Sequence, residues 1–251
     1  MAPFLSVVIP AYNEAARLEP TLARLRDYFA SSPIPGGVEV IVVDDGSSDA
    51  TAEITRGWTM KMPYLRLLQN SGNRGKGYSV RHGMLEARGT VALFTDADLS
   101  APIEESRKLL AAIDAGNDVA IGSRAIDRSL ISVHQSRFRE IAGMIFNLFV
   151  KLFTGVPFHD TQCGFKAFVR ERSRIVFEQQ RIEGFGFDPE ILFLARRHRL
   201  RSAEVPVRWA HDEATRVHML RDSLRMFTDL LVIRWNALAG RYPKHRQPLK
   251  A

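Results

Sequence analysis

Asp96 and Asp98 are the residues of this chain whose chemistry is easiest to name. They follow the apolar run Val91-Ala92-Leu93-Phe94, which reads as a short buried strand, so the two carboxylates stand where that strand runs out. Two hard oxygen donors one residue apart at such a mouth suit a divalent cation, and a bound cation can in turn hold a diphosphate. The plainer role is local, with Asp98 capping a helix that starts near Pro102. Earlier strands end in comparable groups. Val43-Asp44-Asp45-Gly46-Ser47-Ser48-Asp49 places acids where they could accept from a base edge and ribose hydroxyls, or simply close a strand-to-helix turn. In Asn73-Arg74-Gly75-Lys76-Gly77, glycines let backbone N–H groups approach an anion while Lys76 adds charge. The spacing is not that of a Walker loop, and standing alone the pentapeptide also fits an exposed turn.

The elements that must position these groups alternate over the first 120 or so residues. Strands are expected at 5–9 (stopped by Pro10), 38–43, 64–69, 91–94 and 118–121. Helices are expected at 14–29, after a cap at Ser48 or Asp49, at 77–88 and at 103–114. That rhythm predicts an α/β fold: a mostly parallel open sheet flanked by helices, with its crevice at the strand C-termini. The second half breaks the rhythm, with helices at 138–153, 187–199 and 218–239, a strand or turn at 160–168 and a strand at 202–207. One domain is expected over 1–240, with a ligand-binding half at 1–125, a second half at 126–240 and a loose basic tail at 241–251.

With 45% hydrophobic and 25% charged residues, the 251-residue chain is a folded protein and not a disordered one. Its net charge of +7 is unevenly spread. Residues 1–125 carry 13 Lys and Arg against 15 Asp and Glu; residues 126–251 carry 22 against 13. A basic half fits nucleic acid, an anionic membrane surface or a phosphorylated substrate. The single cysteine, Cys163, excludes an internal disulfide framework, fits a reducing compartment and reads as a packed residue. The first ten residues lack the basic start of a leader, and none is expected.

Residues 141–150 are apolar but bounded by Glu140 and Lys151, too short to span a bilayer. The last helix carries Leu220, Leu224, Phe227, Leu230, Leu231 and Leu238 near Arg221, Arg225 and Arg234, with Lys244 and Arg246 beyond. Such a helix suits an anionic lipid interface, or a core with a solvated edge.

Taken together, Pro10-Ala11-Tyr12-Asn13-Glu14, Val43-Asp44-Asp45-Gly46-Ser47, Gly75-Lys76-Gly77 and Asp96-Ala97-Asp98 resemble the inverting family 2 glycosyltransferases, which carry the GT-A fold. The resemblance runs on through Gly122-Ser123-Arg124, Ser136-Arg137 and Asp160-Thr161-Gln162-Cys163-Gly164-Phe165-Lys166, towards the dolichyl- and polyprenyl-phosphate glucosyltransferases and mannose synthases. It implies a nucleotide-sugar site at Pro10, Ala11, Tyr12, Glu14, Val43, Asp44, Gly46, Lys76 and Asp96-Ala97-Asp98, with Mg²⁺ or Mn²⁺ on Asp96 and Asp98. It implies an acceptor phosphate held by Arg124, Arg137 and Arg216, the last on a loop at 210–217. Asp188, in Gly184-Phe185-Gly186-Phe187-Asp188-Pro189-Glu190, would approach the donor sugar or acceptor. The catalytic set is then Asp96, Asp98, Arg124, Arg137 and Asp188. Ser100 stands where some mannose synthases have Gln, so water replaces a third protein ligand.

The implied reaction moves a hexose from UDP-glucose, or secondly GDP-mannose, to a polyprenyl or dolichyl phosphate with inversion. Such an acceptor is already ionised at neutral pH and needs orientation by arginines more than a base. The enzyme would sit peripherally or monotopically on the cytoplasmic face of a membrane, without a transmembrane helix and without nucleic acid as a partner. Three alternatives stay open: a glycosyltransferase acting on a sugar or protein hydroxyl with Asp188 as base, a basic nucleic-acid-binding protein, and an inactive binder of lipid phosphate.

Overall fold

The computed structural model describes residues 2–133, 136–211 and 219–243. Its first half alternates β1 (Leu5–Ala11), α1 (Ala15–Ser31), β2 (Val38–Asp44), α2 (Thr51–Trp58), β3 (Leu65–Gln69), α3 (Lys76–Glu86), β4 (Val91–Phe94), α4 (Ser106–Asp114) and β5 (Val119–Ser123). The second half contributes β6 (Ile131–Val133), α5 (Arg137–Thr154), β7 (Lys166–Val169), α6 (Arg170–Gln179), α7 (Phe187–Arg197), β8 (Ser202–Pro206), β9 (Trp209–Ala210) and α8 (Met219–Leu238). A seven-stranded sheet in the order β3-β2-β1-β4-β7-β5-β8 carries the fold, and β6 pairs with β9 beside it.

The strands are apolar almost without interruption because helices cover both faces. Val7, Ile9, Val40 and Val42 pack under Leu18, Leu22 and Leu25 of α1, while Val8, Ile41 and Val43 belong to a second core with Val80, Phe187 and Ile191. Burying each such side chain contributes about 1.5–3 kcal/mol.

One strand runs against the others. β7 is antiparallel to both neighbours, β4 and β5. Its first residue, Lys166, therefore lies opposite Phe94, at the same end of the sheet as the C-termini of β1, β2, β4 and β5. The antiparallel insertion brings the 160–165 turn to the crevice from the second half of the chain.

Several boundaries depart from the sequence reading. β1 does not stop at Pro10, which stays in register with Val43. The Val8 carbonyl accepts from Thr95 on the β4 side, so two residues on, where the Pro10 N–H would point the same way, β4 has already ended and no bond is lost. The cap of α2 is Ala50 and not Ser48 or Asp49, although Asp49 still accepts from the Thr51 N–H at 3.0 Å. Helix α6 was not foreseen, because its sequence is mostly charged and shows only Ile175, Val176 and Phe177 as an apolar patch. Tyr242, assigned to a loose tail, is buried: its ring lies against Phe193 and its hydroxyl donates to Glu190 at 2.6 Å. The rest of that tail, 244–251, lies outside the described residues.

Candidate active site

The crevice is built by loops stapled to one another. Asn13, at φ 54°, accepts from the Ser48 N–H at 2.8 Å, and its own N–H donates to Ser47 Oγ at 2.8 Å, which ties the β1–α1 loop to the β2–α2 loop. Asp45 does the same for the lysine loop. Its carboxylate accepts from the N–H groups of Arg74 (3.0 Å) and Gly75 (2.7 Å) and from Asn70. Gly46 lets these loops touch, since a Cβ there would lie 2.6 Å from Gly72. Asp44 is buried, with one oxygen accepting from the Ser47 N–H and the other from Gln69. Closing the turn is thus its structural role, at the mouth of β2.

Asp96 and Asp98 sit on the turn after β4, with side chains 32% and 20% exposed, open enough for a ligand to reach them. Asp98 does not cap a helix: the turn at Ile103–Glu105 follows Pro102 without a side-chain cap. Its Oδ1 accepts instead from the Ser100 N–H at 2.8 Å, and Leu99 takes the left-handed conformation, φ 48°, between them. Burial, and then the neighbouring Asp96, push the Asp98 carboxyl above the usual carboxylate range. Paired acids that resist joint ionisation are what a cation relieves. Among the described residues no third His, Cys, Asp or Glu joins them, which fits Mg²⁺ or Mn²⁺ keeping waters and substrate oxygens for the remaining positions.

Lys76 opens α3, and its Nζ lies 2.5 Å from Asp96 Oδ1. Burial alone would lower this ammonium, but Asp96, Asp188 and Asp98 outweigh it and hold it above its ordinary value. The pentapeptide is therefore no free surface turn. Gly75 has φ 106°, and a Cβ on Gly75 or Gly77 would meet the carbonyls of Glu183 and Ile182 at 2.5 and 2.7 Å.

Asp188 stands in the first turn of α7, fully packed, with Oδ1 2.5 Å from the Nζ of Lys166, which has no exposed surface. The lysine also donates to the Cys163 carbonyl at 2.6 Å. Burial raises the Asp188 carboxyl, against the pull of Lys166 and Lys76. Glu190, two residues on, has a structural role: it accepts from the N–H groups of Arg181 and Ile182 and from Tyr242. Cys163 is inert, its thiol pushed by burial up to about 12.

Arg124 follows β5 and forks onto Asp160, Nε to Oδ2 at 2.6 Å and Nη2 to Oδ1 at 2.8 Å, with its guanidinium 5.3 Å from the Trp209 ring centre. Asp160, though buried, is drawn down to about 2 by this arginine. The group's pKa is lower folded than unfolded, so its stabilisation is present above about pH 4 and lost as pH falls through about 2. The stability gap between wild type and Asp160→Asn, read from denaturant unfolding, should narrow across that window by roughly 2 kcal/mol. A cleft of about 130 Å³ opens beside Arg124, lined also by Arg128, Met144, Asn147 and Trp209.

The sequence-derived site residues are thus placed unevenly. Asp44, Gly46, Lys76, Asp96, Asp98, Arg124 and Asp188 come to one end of the sheet, where Tyr12 is exposed and Glu14 pairs with Arg17 at 2.9 Å. The Val43 side chain has no exposure and belongs to the core. Pro10, Ala11 and Ala97 are also buried and can line the crevice only through their backbone. Arg137 begins α5, but its side chain, like all of Arg216 and residues 212–218, lies outside what is described. Lys166, Asp160 and Asp45 were missed, although a lysine inside the apolar run Phe165-Lys166-Ala167-Phe168 was a readable sign of a buried partner. Gly164 was quoted without a role: a Cβ there would collide with the Asp96 carboxylate. Gly164→Ala should displace the Asp96 carboxylate and, on the cation-site reading of Asp96 and Asp98, weaken Mn²⁺ binding about tenfold or more by calorimetry, with little change in melting temperature.

A family model described as glycosyl transferase family 2 matches residues 6–172. The chain belongs to that family. This glycosyltransferase is 39% identical over 248 residues to dolichyl-phosphate beta-glucosyltransferase of Drosophila melanogaster, covering 94% of this chain and 76% of that one. It is 36% identical over 214 residues to dolichyl-phosphate beta-glucosyltransferase ALG5C of Trichomonas vaginalis, covering 82% of this chain but 64% of that one. Glucosyl-3-phosphoglycerate synthase of Mycobacterium tuberculosis, solved with Mn²⁺, UDP and glucosyl-3-phosphoglycerate, shares the fold at TM-score 0.63 and 19% identity, over 98% of this chain and 82% of that one. The GT-A architecture expected from the motifs is the one observed.

Proposed function

We propose that this glycosyltransferase moves glucose from UDP-glucose to a polyprenyl or dolichyl phosphate, inverting the anomeric centre. The relatives' names support the donor sugar and the acceptor class. The observation that carries the acceptor choice is the Lys166–Asp188 pair. A sugar or protein hydroxyl needs a base, for which Asp188 is the candidate the sequence offers. The Asp188 carboxylate is buried and already engaged by the unexposed Lys166 ammonium, so it is not open to take a proton from an incoming hydroxyl. A phosphate monoester asks for no such proton transfer.

Asp96 and Asp98 would hold Mg²⁺ or Mn²⁺, which when bound neutralises the leaving diphosphate. Asp44 accepts from the base or ribose, and Lys76 stands beside the diphosphate as a fixed positive charge. Asp160 holds the Arg124 fork rigid beside the cleft at α5, where Arg124, with Arg137 and Arg216, orients the acceptor phosphate.

The acceptor's hydrocarbon needs an apolar surface, and α5 and α8 present one. Ile141, Met144, Ile145, Leu148 and Leu152 are exposed on α5, as are Leu224, Leu231, Val232, Trp235 and Leu238 on α8. The two helices pack through Phe149, Phe153 and Phe227. The terminal stripe read from sequence is thereby divided: Leu230 faces the core and Phe227 faces α5, whereas Leu224, Leu231 and Leu238 face out. No helix among the described residues is long and apolar enough to cross a membrane. We infer that these faces, with Arg225 and Arg234 among them, rest on the cytoplasmic side of an anionic membrane. Helix α8 also meets the reaction site, since Arg225, Met226 and Asp229 share a cleft of about 290 Å³ with Gly75 and Lys76.

Calorimetry with Mn²⁺ should show UDP-glucose binding more tightly than GDP-mannose, and the protein should sediment with anionic vesicles. Replacing Leu148, Leu152, Trp235 and Leu238 by serine should release it from vesicles about tenfold or more while leaving UDP-glucose binding intact. Preference for GDP-mannose would correct the donor, and unchanged sedimentation of the variant would remove the proposed face.

A further inference from the structure

Lys76 occupies a place that a simple diphosphate ligand would not need. Its ammonium rests on Asp96 Oδ1, one of the two carboxylates of the cation site, with Asp98 and Asp188 also acting on its charge. The backbone that carries it cannot withdraw. Gly75 and Gly77 are pressed against the carbonyls of Glu183 and Ile182, and Asp45 clamps the N–H groups of Arg74 and Gly75. Only the four-carbon stem can turn, so the ammonium can leave Asp96 for a nearby anion but its backbone stays at the cation site.

The charge count at this spot is telling. Asp96, Asp98 and Asp188 are answered by Lys76 and Lys166, and Arg17 lies 3.9 Å from Asp98. A divalent cation arriving by itself meets carboxylates already largely neutralised and must displace or face an ammonium. A divalent cation arriving with a nucleoside diphosphate brings the anion that Lys76 can turn to. The same lysine opposes the first event and favours the second.

We propose that Lys76 is a built-in competitor of the metal, which keeps the carboxylate pair from taking a bare cation and couples metal binding to nucleotide binding. The inference rests on the cation-site reading of Asp96 and Asp98 given above. Linkage makes the coupling reciprocal: whatever factor UDP adds to Mn²⁺ affinity, Mn²⁺ adds to UDP affinity.

The test measures free Mn²⁺ by electron paramagnetic resonance, on the full chain, with and without saturating UDP. Wild type should bind bare Mn²⁺ weakly and bind it much more tightly with UDP. Lys76→Met should bind bare Mn²⁺ about tenfold more tightly than wild type, and the enhancement by UDP should shrink by a similar factor or more. Lys76→Arg, which keeps the charge, should stay close to wild type. Lys76→Gln offers a second neutral variant, and thermal melts show which variants are folded. If folded Lys76→Met and Lys76→Gln bind bare Mn²⁺ no more tightly than wild type, the competitor role is wrong although the cation site stands. If wild type takes up no Mn²⁺ even with UDP, the cation site itself is wrong and the inference falls with it.

Discussion

Asp98→Ala should lower glucosyl transfer by about 10²–10³-fold, because it removes one of the two carboxylates proposed to hold a cation against the leaving diphosphate. The expectation follows from how Asp98 is held. Its Oδ1 accepts from the Ser100 N–H within a turn whose middle residue, Leu99, sits at a positive φ, so the carboxylate is aimed by strained backbone and not by a flexible stem. The same variant should lose the Mn²⁺-dependent UDP binding proposed above in calorimetry yet melt near the wild-type temperature, since among the described residues Asp98 reaches another element only through the 3.9 Å approach of Arg17. An inactive binder of lipid phosphate would behave as before when Asp98 is lost, so full retention of lipid-phosphate binding with no transfer in either protein would favour that alternative.

Lys166→Met should be the most destabilising change of those considered, by about 3–5 kcal/mol, because it leaves Asp188 buried beside an apolar side chain. In a chain of this size that is a fall in melting temperature of roughly 6–20 °C. Adding Asp188→Leu to Lys166→Met should recover part of the loss, as the remaining unpaired charge is removed, although transfer should stay low. The two readouts separate packing from chemistry. A Lys166→Met protein that melts like wild type would mean that Asp188 is not ionised against Lys166, and the argument against a hydroxyl acceptor would lose its basis.

Much of the first half was legible in the sequence, for a physical reason: parallel strands covered on both faces must be continuously apolar, and the polar groups that follow them must lie at one edge. Asp44, Lys76, Asp96 and Asp98 could be gathered into one crevice from their positions at the ends of three such runs. What was not legible depends on partners distant in the chain. Lys166 looks misplaced until β7 inserts antiparallel beside β4 and brings it to Asp188, 22 residues away. Arg124 reads as a spare cation until Asp160, 36 residues on, takes its fork. Val43 shows the opposite case: a residue inside a motif whose side chain faces the core. The single stripe expected along α8 divides because α5 packs on one flank of that helix, a contact through Phe149, Phe153 and Phe227 that periodicity along one helix does not reveal.

The measurement that tests the central claim most directly offers the purified protein radiolabelled UDP-glucose and Mg²⁺ in detergent, with dolichyl phosphate in one reaction and dolichol in the other. The expected result is label in the organic phase with dolichyl phosphate alone, as a β-linked glucosyl phosphate, and none with Asp98→Ala. Label transferred equally to dolichol, or an α-linked product, or label that never leaves the aqueous phase, would contradict it.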